Sequence, residues 1–129
     1  MILPQLAVLD VEQMACEPGE VLIEEGTPGN VVYVLSEGEL AVSLGRREVC
    51  RVAEPGALFG EMSALLGKCR TATVSVTQPS TLYVIDDLLA FLRHNPEIAI
   101  LLLKTMAQRV ENTNEHLRET QAKKWWQFL

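Results

Sequence analysis

Residues 59–73 read FGEMSALLGKCRTAT. A Gly60-Glu61 pair precedes a run of good helix formers, Met62 to Leu66, and Gly67 supplies a natural stop. Arg70 then stands alone among small residues. The first backbone N–H groups of such a helix have no partner within it, and its dipole favours an anion there. Gly60 has no side chain to obstruct close approach, and Ser63 is small and adds a hydroxyl. Arg70 offers the planar fork that fits phosphate oxygens. Glu61 is out of place beside an anion unless it faces away and accepts a hydrogen bond from a sugar hydroxyl. The ligand these groups describe carries a phosphate and a free ribose hydroxyl close together. The plainer alternative is that Glu61 and Arg70 pair with each other across a turn.

Upstream of this stretch, short apolar runs alternate with turn signals. EPGEVLIEEG reads as turn, strand and turn, and VVYVLSEG and ELAVSLG read as two strands joined at Glu37-Gly38. Gly45-Arg46-Arg47 turns the chain into EVCRVA, and Glu54-Pro55-Gly56 turns it again. Downstream, TATVSVTQ and TLYVID are separated by Pro79-Ser80. All 8 glycines lie between Gly19 and Gly67. Many short strands at this spacing predict an antiparallel sandwich or barrel. At the N-terminus, Leu6, Leu9 and Met14 are candidates for one helical face over the barrel.

The last third changes period. Asp86 or Asp87 can cap a short helix running through Arg93, and Asn95-Pro96-Glu97 is a second start signal. Neither Gly nor Pro interrupts the chain after Pro96. Leu103, Met106, Val110, Thr113 and Leu117 recur at alternating steps of three and four, a coiled-coil seam. Two readings of the seam stay open: packing on the domain's own barrel, or pairing with a second copy.

At 129 residues and 48% hydrophobic content, the chain is long enough for one domain with a real core. A net charge of −6 argues against general affinity for nucleic acid or an anionic membrane. The 3 cysteines, Cys16, Cys50 and Cys69, lack metal-ligand spacing, and His94 and His116 both fall in the helical part. No metal site is therefore expected. The absence of a leader or a membrane-length apolar run points to a cytoplasmic protein with reduced thiols.

FGEMSALLGKCRTATV resembles the phosphate-binding cassette of the cyclic nucleotide-binding domain family, and VLIEEGTPGNVVYVLSEGELAV resembles that family's leading strands and glycine turns. The family includes kinase regulatory subunits, nucleotide-gated channels and bacterial catabolite activator proteins. The resemblance implies a mainly β fold over the whole chain, 1–129. It would be an antiparallel β-roll (a jelly roll) at about 13–86, a short cassette helix, and C-terminal helices at about 87–94 and 96–124. It implies no cofactor and one ligand, cAMP or cGMP. Glu61 would bind the ribose 2′-hydroxyl and Arg70 the cyclic phosphate, with Phe59, Gly60, Met62, Ser63, Thr71 and Ala72 completing the cradle. Thr71 leans toward cGMP, because a hydroxyl after the arginine can meet guanine. MAQRVENTNEHL resembles the dimer helix of catabolite activators, and Thr113-Asn114 stand where that helix meets adenine. Their hydrogen-bonding groups tip the expectation to cAMP; the alternative is that both are ordinary residues of a solvated helix.

Two departures shape the expected function. The DNA-binding domain of catabolite activators does not follow this helix, so direct DNA binding is not expected. The ending KKWWQFL, with Trp125, Trp126 and Phe128, reads as a lid, a partner-docking segment or a membrane-surface anchor; so small a basic patch argues against the last. The expectation is a stand-alone, non-enzymatic sensor. It would signal through its C-terminal helix to an effector protein that the sequence does not identify, with a homodimer through that helix and no membrane association. The rival expectation is a constitutive interaction module whose nucleotide pocket is unused.

Overall fold

A computed structural model describes residues 2–124; within that span the side chains at 116 and 118–124 are not described. The described residues fall into two compact units, the first ending at Asn95 and the second beginning at Pro96.

The first unit opens with α1 (Leu3–Val8), begun by Pro4 in its first turn and holding Leu6 fully buried. Six strands follow: β1 (Gln13–Cys16), β2 (Val21–Ile23), β3 (Val32–Leu44), β4 (Arg47–Val52), β5 (Leu58–Phe59) and β6 (Thr73–Ile85). Between β5 and β6 lies α2 (Glu61–Leu66), and α3 (Leu88–His94) closes the unit. The sheet runs β1-β6-β3-β4, with β2 added on β6 and β5 on β3, and all pairings are antiparallel. This is the expected β-roll with helices. Its core packs Cys16, Ile23, Leu35, Leu40, Phe59, Val74, Val76 and Leu82.

The backbone of the roll is the β3–β6 pair, which runs from Val32 opposite Ile85 to Ser43 opposite Thr73. Each strand is 13 residues long. Straight, that is about 43 Å at ~3.3 Å per residue, too long for a domain of about 100 residues. Both strands therefore bend. The register shifts repeatedly between Leu35 and Leu40, and Gly38 takes a φ of 115° at the bend. Opposite it, buried Ser80 accepts from the Glu39 N–H at 3.1 Å and donates to the Gln78 carbonyl at 2.7 Å. Glu37-Gly38 and Pro79-Ser80 are thus bends within continuous strands rather than turns between separate ones. By contrast Gly45-Arg46 is a true hairpin turn, with Leu44 opposite Arg47.

Met14 does not join a helical face: it lies in β1 opposite Leu82, and Leu9 is exposed. Asp87 caps α3, accepting from the Ala90 N–H at 3.2 Å. Asn95 donates its side-chain amide to the Phe91 carbonyl at 2.9 Å, tying off α3.

The second unit is the helix α4 (Pro96–Lys124), opened by Pro96 with Glu97 in its first turn. Leu103, Val110, Thr113 and Leu117 are exposed, and Met106 is half-buried. Trp125, Trp126 and Phe128 lie outside the described residues. No helix among the described residues is long and apolar enough to cross a membrane.

Candidate functional site

The cassette takes its shape from two glycines. Gly60 sits at the N-cap of α2 with φ 88°, and Gly67 ends the helix at φ 66°, its N–H returning to the Ser63 carbonyl at 3.0 Å. At Gly60 the space is as restrictive as the dihedral. A Cβ there would stand 2.5 Å from Arg70 Nη1 and 2.8 Å from the Val31 carbonyl oxygen. Gly60 is what lets the arginine lie against the helix start.

Arg70 lies not on the next strand but in the loop three residues ahead of β6. Its backbone is clamped at both ends to the turn after β2. The Gly26 N–H donates to the Arg70 carbonyl and the Arg70 N–H to the Thr27 carbonyl, each at 2.8 Å. The side chain is buried, at 8% exposure. Its Nη1 donates to Ser63 Oγ at 2.8 Å and to the Gly60 carbonyl at 3.2 Å, and its Nη2 donates to the Val31 carbonyl at 2.8 Å. These three acceptors are neutral. Dipoles orient the guanidinium without cancelling its charge, which remains to attract an anion. The positive charge also acts on Tyr33: burial pushes that phenol up, and Arg70 partly offsets the rise.

Beside Arg70 lies a cavity of about 240 Å³. Phe59, Gly60, Glu61, Met62, Ser63, Arg70, Thr71 and Ala72, all expected at the site, line it together. Ile23, Leu58, Val42, Val52 and Val74 add an apolar wall that the motif did not reveal. Only their alternation within strands hinted at it. Glu61 and Ser63 are buried on α2, whereas Met62 and Thr71 are exposed. The loop carbonyl of Val31 is a further functional group that sequence reasoning missed.

Thr113 and Asn114 are exposed on α4, in the second unit; Thr113 Oγ1 donates to the Arg109 carbonyl at 2.9 Å, within its own helix. Cys69, next to Arg70, and Cys50 are exposed free thiols, while Cys16 is buried. Burial pushes the Cys16 thiol up, and a hydrogen bond and the charge of Glu20 push it further, so it is a packing residue at neutral pH. Among the described residues no group of His, Cys, Asp and Glu comes together to hold a metal ion.

The domain that carries this pocket is similar to known proteins in sequence and in fold. The model of the cyclic nucleotide-binding domain matches residues 13–95. A cGMP-dependent protein kinase of Eimeria tenella is 34% identical over 83 residues, which are 60% of this chain and 8% of that kinase. The chain thus spans a small part of this relative. The catabolite activator protein of Thermus thermophilus superposes with a TM-score of 0.72 at 25% identity, covering 88% of this chain and 56% of that one. The N-terminal domain of a transcriptional regulator from Streptomyces coelicolor superposes at 0.64 with 30% identity, covering 87% and 86%. Cassette, β-roll and matched residues agree: the chain belongs to the cyclic nucleotide-binding domain family.

Proposed function

We propose that this chain is a sensor that binds a 3′,5′-cyclic purine nucleotide, cAMP or cGMP, in the cavity beside Arg70. The observation that carries the reading is the buried guanidinium, oriented by neutral acceptors at the wall of a pocket that Glu61 also lines. Arg70 meets the cyclic phosphate. Glu61 accepts from the ribose 2′-hydroxyl, and the apolar wall covers the sugar and base. Thr71, on the lining, is the candidate for reading the base. The family is one of binding modules, and binding without turnover is the proposed behaviour here.

A cradle this tight favours a phosphate folded back on its own ribose. Calorimetry with cAMP, cGMP and linear 5′-AMP should show the better cyclic nucleotide binding at least about tenfold, or 1.4 kcal/mol, more tightly than the linear one. Glu61→Ala should cost about 1–3 kcal/mol in cyclic nucleotide affinity, one charge-assisted hydrogen bond. Equal affinity for cyclic and linear forms would sink the reading.

The output we propose is a ligand-linked change in α4 that a second copy or an effector protein reads. Leu103, Val110 and Leu117 are exposed at heptad spacing, which supports pairing with a second copy. About two heptads make a modest interface, so a dimer of low to moderate stability is expected. Sedimentation velocity with and without cyclic nucleotide checks it. Replacing Val110 and Leu117 with Glu should give a monomer that still binds nucleotide; a wild-type monomer at high concentration in both states would remove the dimer.

A further inference from the structure

Ser63 is 3% exposed, and its hydroxyl lies 2.8 Å from Arg70 Nη1, the short range of a charge-assisted hydrogen bond. The same oxygen is 3.3 Å from the Gly29 carbonyl and 3.2 Å from the Gly60 carbonyl. Both carbonyls can only accept, so the single hydroxyl proton goes to one of them. An oxygen lone pair is then left for the guanidinium. The hydroxyl thus ties Arg70 to α2, with the Gly29 carbonyl in the loop before β3 and the Gly60 carbonyl at the helix start as alternative acceptors of its proton. Each of its contacts is local to the cassette, and Ser63 heads no part of the sheet.

The other acceptor on Nη1, the Gly60 carbonyl, is longer at 3.2 Å, and the Val31 carbonyl holds Nη2 on its own. Without Ser63, Nη1 keeps only the weaker of its two contacts. The guanidinium plane could then re-orient about the Cδ–Nε bond and along its flexible stem, and its Nη1 group would rotate more freely about Cζ–Nη1. A fork that must present two N–H groups in one plane depends on that orientation.

We infer that Ser63 is a positioning residue that acts on the ligand through Arg70, aiming the guanidinium at the phosphate. This rests on the cyclic-nucleotide reading above, and its test can be read separately. Binding of cAMP and cGMP is measured by calorimetry for four proteins: wild type, Ser63→Ala, Arg70→Ala and the double variant. Ser63→Ala should weaken binding of the preferred nucleotide about 5- to 30-fold when Arg70 is present. In the Arg70→Ala background it should add less than about twofold, because the group it acts through is gone. An equal loss in both backgrounds, or no loss in either, overturns the inference.

The second measurement needs no ligand. In ¹⁵N-resolved NMR of the arginine side chains, wild-type Arg70 should show slowed rotation of its Nη groups, and Ser63→Ala should speed it while circular dichroism and melting show an intact fold. Wild-type protein that binds neither nucleotide would defeat the functional reading alone, and the NMR comparison would still decide the role of Ser63. Unchanged Nη rotation in Ser63→Ala overturns it.

Discussion

Arg70→Ala is expected to weaken cyclic nucleotide binding by about 2–5 kcal/mol, roughly 30- to 4,000-fold. The size follows from what the substitution leaves behind. The guanidinium is buried and engaged with neutral partners, so its charge is available to a phosphate. An anion entering the Ala variant would lose its hydration without gaining a cation. The fold should survive, because the strands and their core do not pass through this side chain. Gly60, whose carbonyl loses its donor, lines the cavity, where water can take the place of the guanidinium. Calorimetry with the preferred nucleotide, alongside circular dichroism, checks both halves. Wild-type affinity in a folded Arg70→Ala protein would mean that the phosphate sits elsewhere.

The largest effect on stability is expected outside the pocket lining, at Gly38. Its φ of 115° lies where a side chain is strained, at roughly 1–3 kcal/mol. A Cβ there would also stand 2.6 Å from the Ser80 Cα, a backbone atom of the opposing strand that cannot swing aside. Overpacking adds about 1–3 kcal/mol more. Gly38→Ala should therefore lose about 2–6 kcal/mol, a large share of a domain's typical 5–15. At about 4–8 °C per kcal/mol, the melting midpoint should fall by tens of degrees at the upper end of that loss. Gly67→Ala is the control. That glycine also has positive φ, 66°, but a Cβ there meets nothing within 4 Å, so only the left-handed cost of about 1–2 kcal/mol applies. If thermal melts of the two variants coincide, steric opposition from Ser80 is not what Gly38 relieves.

The contrast between these two glycines also marks how far the sequence could be read. Gly60 and Gly67 bound α2, Asp87 caps α3, and Gly45-Arg46 turns a hairpin. In each case the determining atoms lie within a few residues, so residue type alone carries the signal. Glu37-Gly38 and Pro79-Ser80 look equally like strand ends. Yet β3 and β6 pass through them, because the two strands pair on both sides of the bend, from Val32 opposite Ile85 to Ser43 opposite Thr73. The short strands β1 and β5 depend on their long neighbours in the same way, and so Met14 escaped a local reading.

At the site, Gly60, Glu61, Ser63 and Arg70 were legible as a set because phosphate and ribose demand those chemical groups at close spacing. That they belong to a cyclic nucleotide-binding domain followed from the same stretch. What holds Arg70 in place was not legible. The guanidinium rests on the carbonyls of Val31 and Gly60, and its backbone on Gly26 and Thr27. Every residue has a carbonyl, so no residue type announces such a role. Which carbonyl faces the arginine was decided only when strand pairing brought the turn after β2 beside the loop before β6.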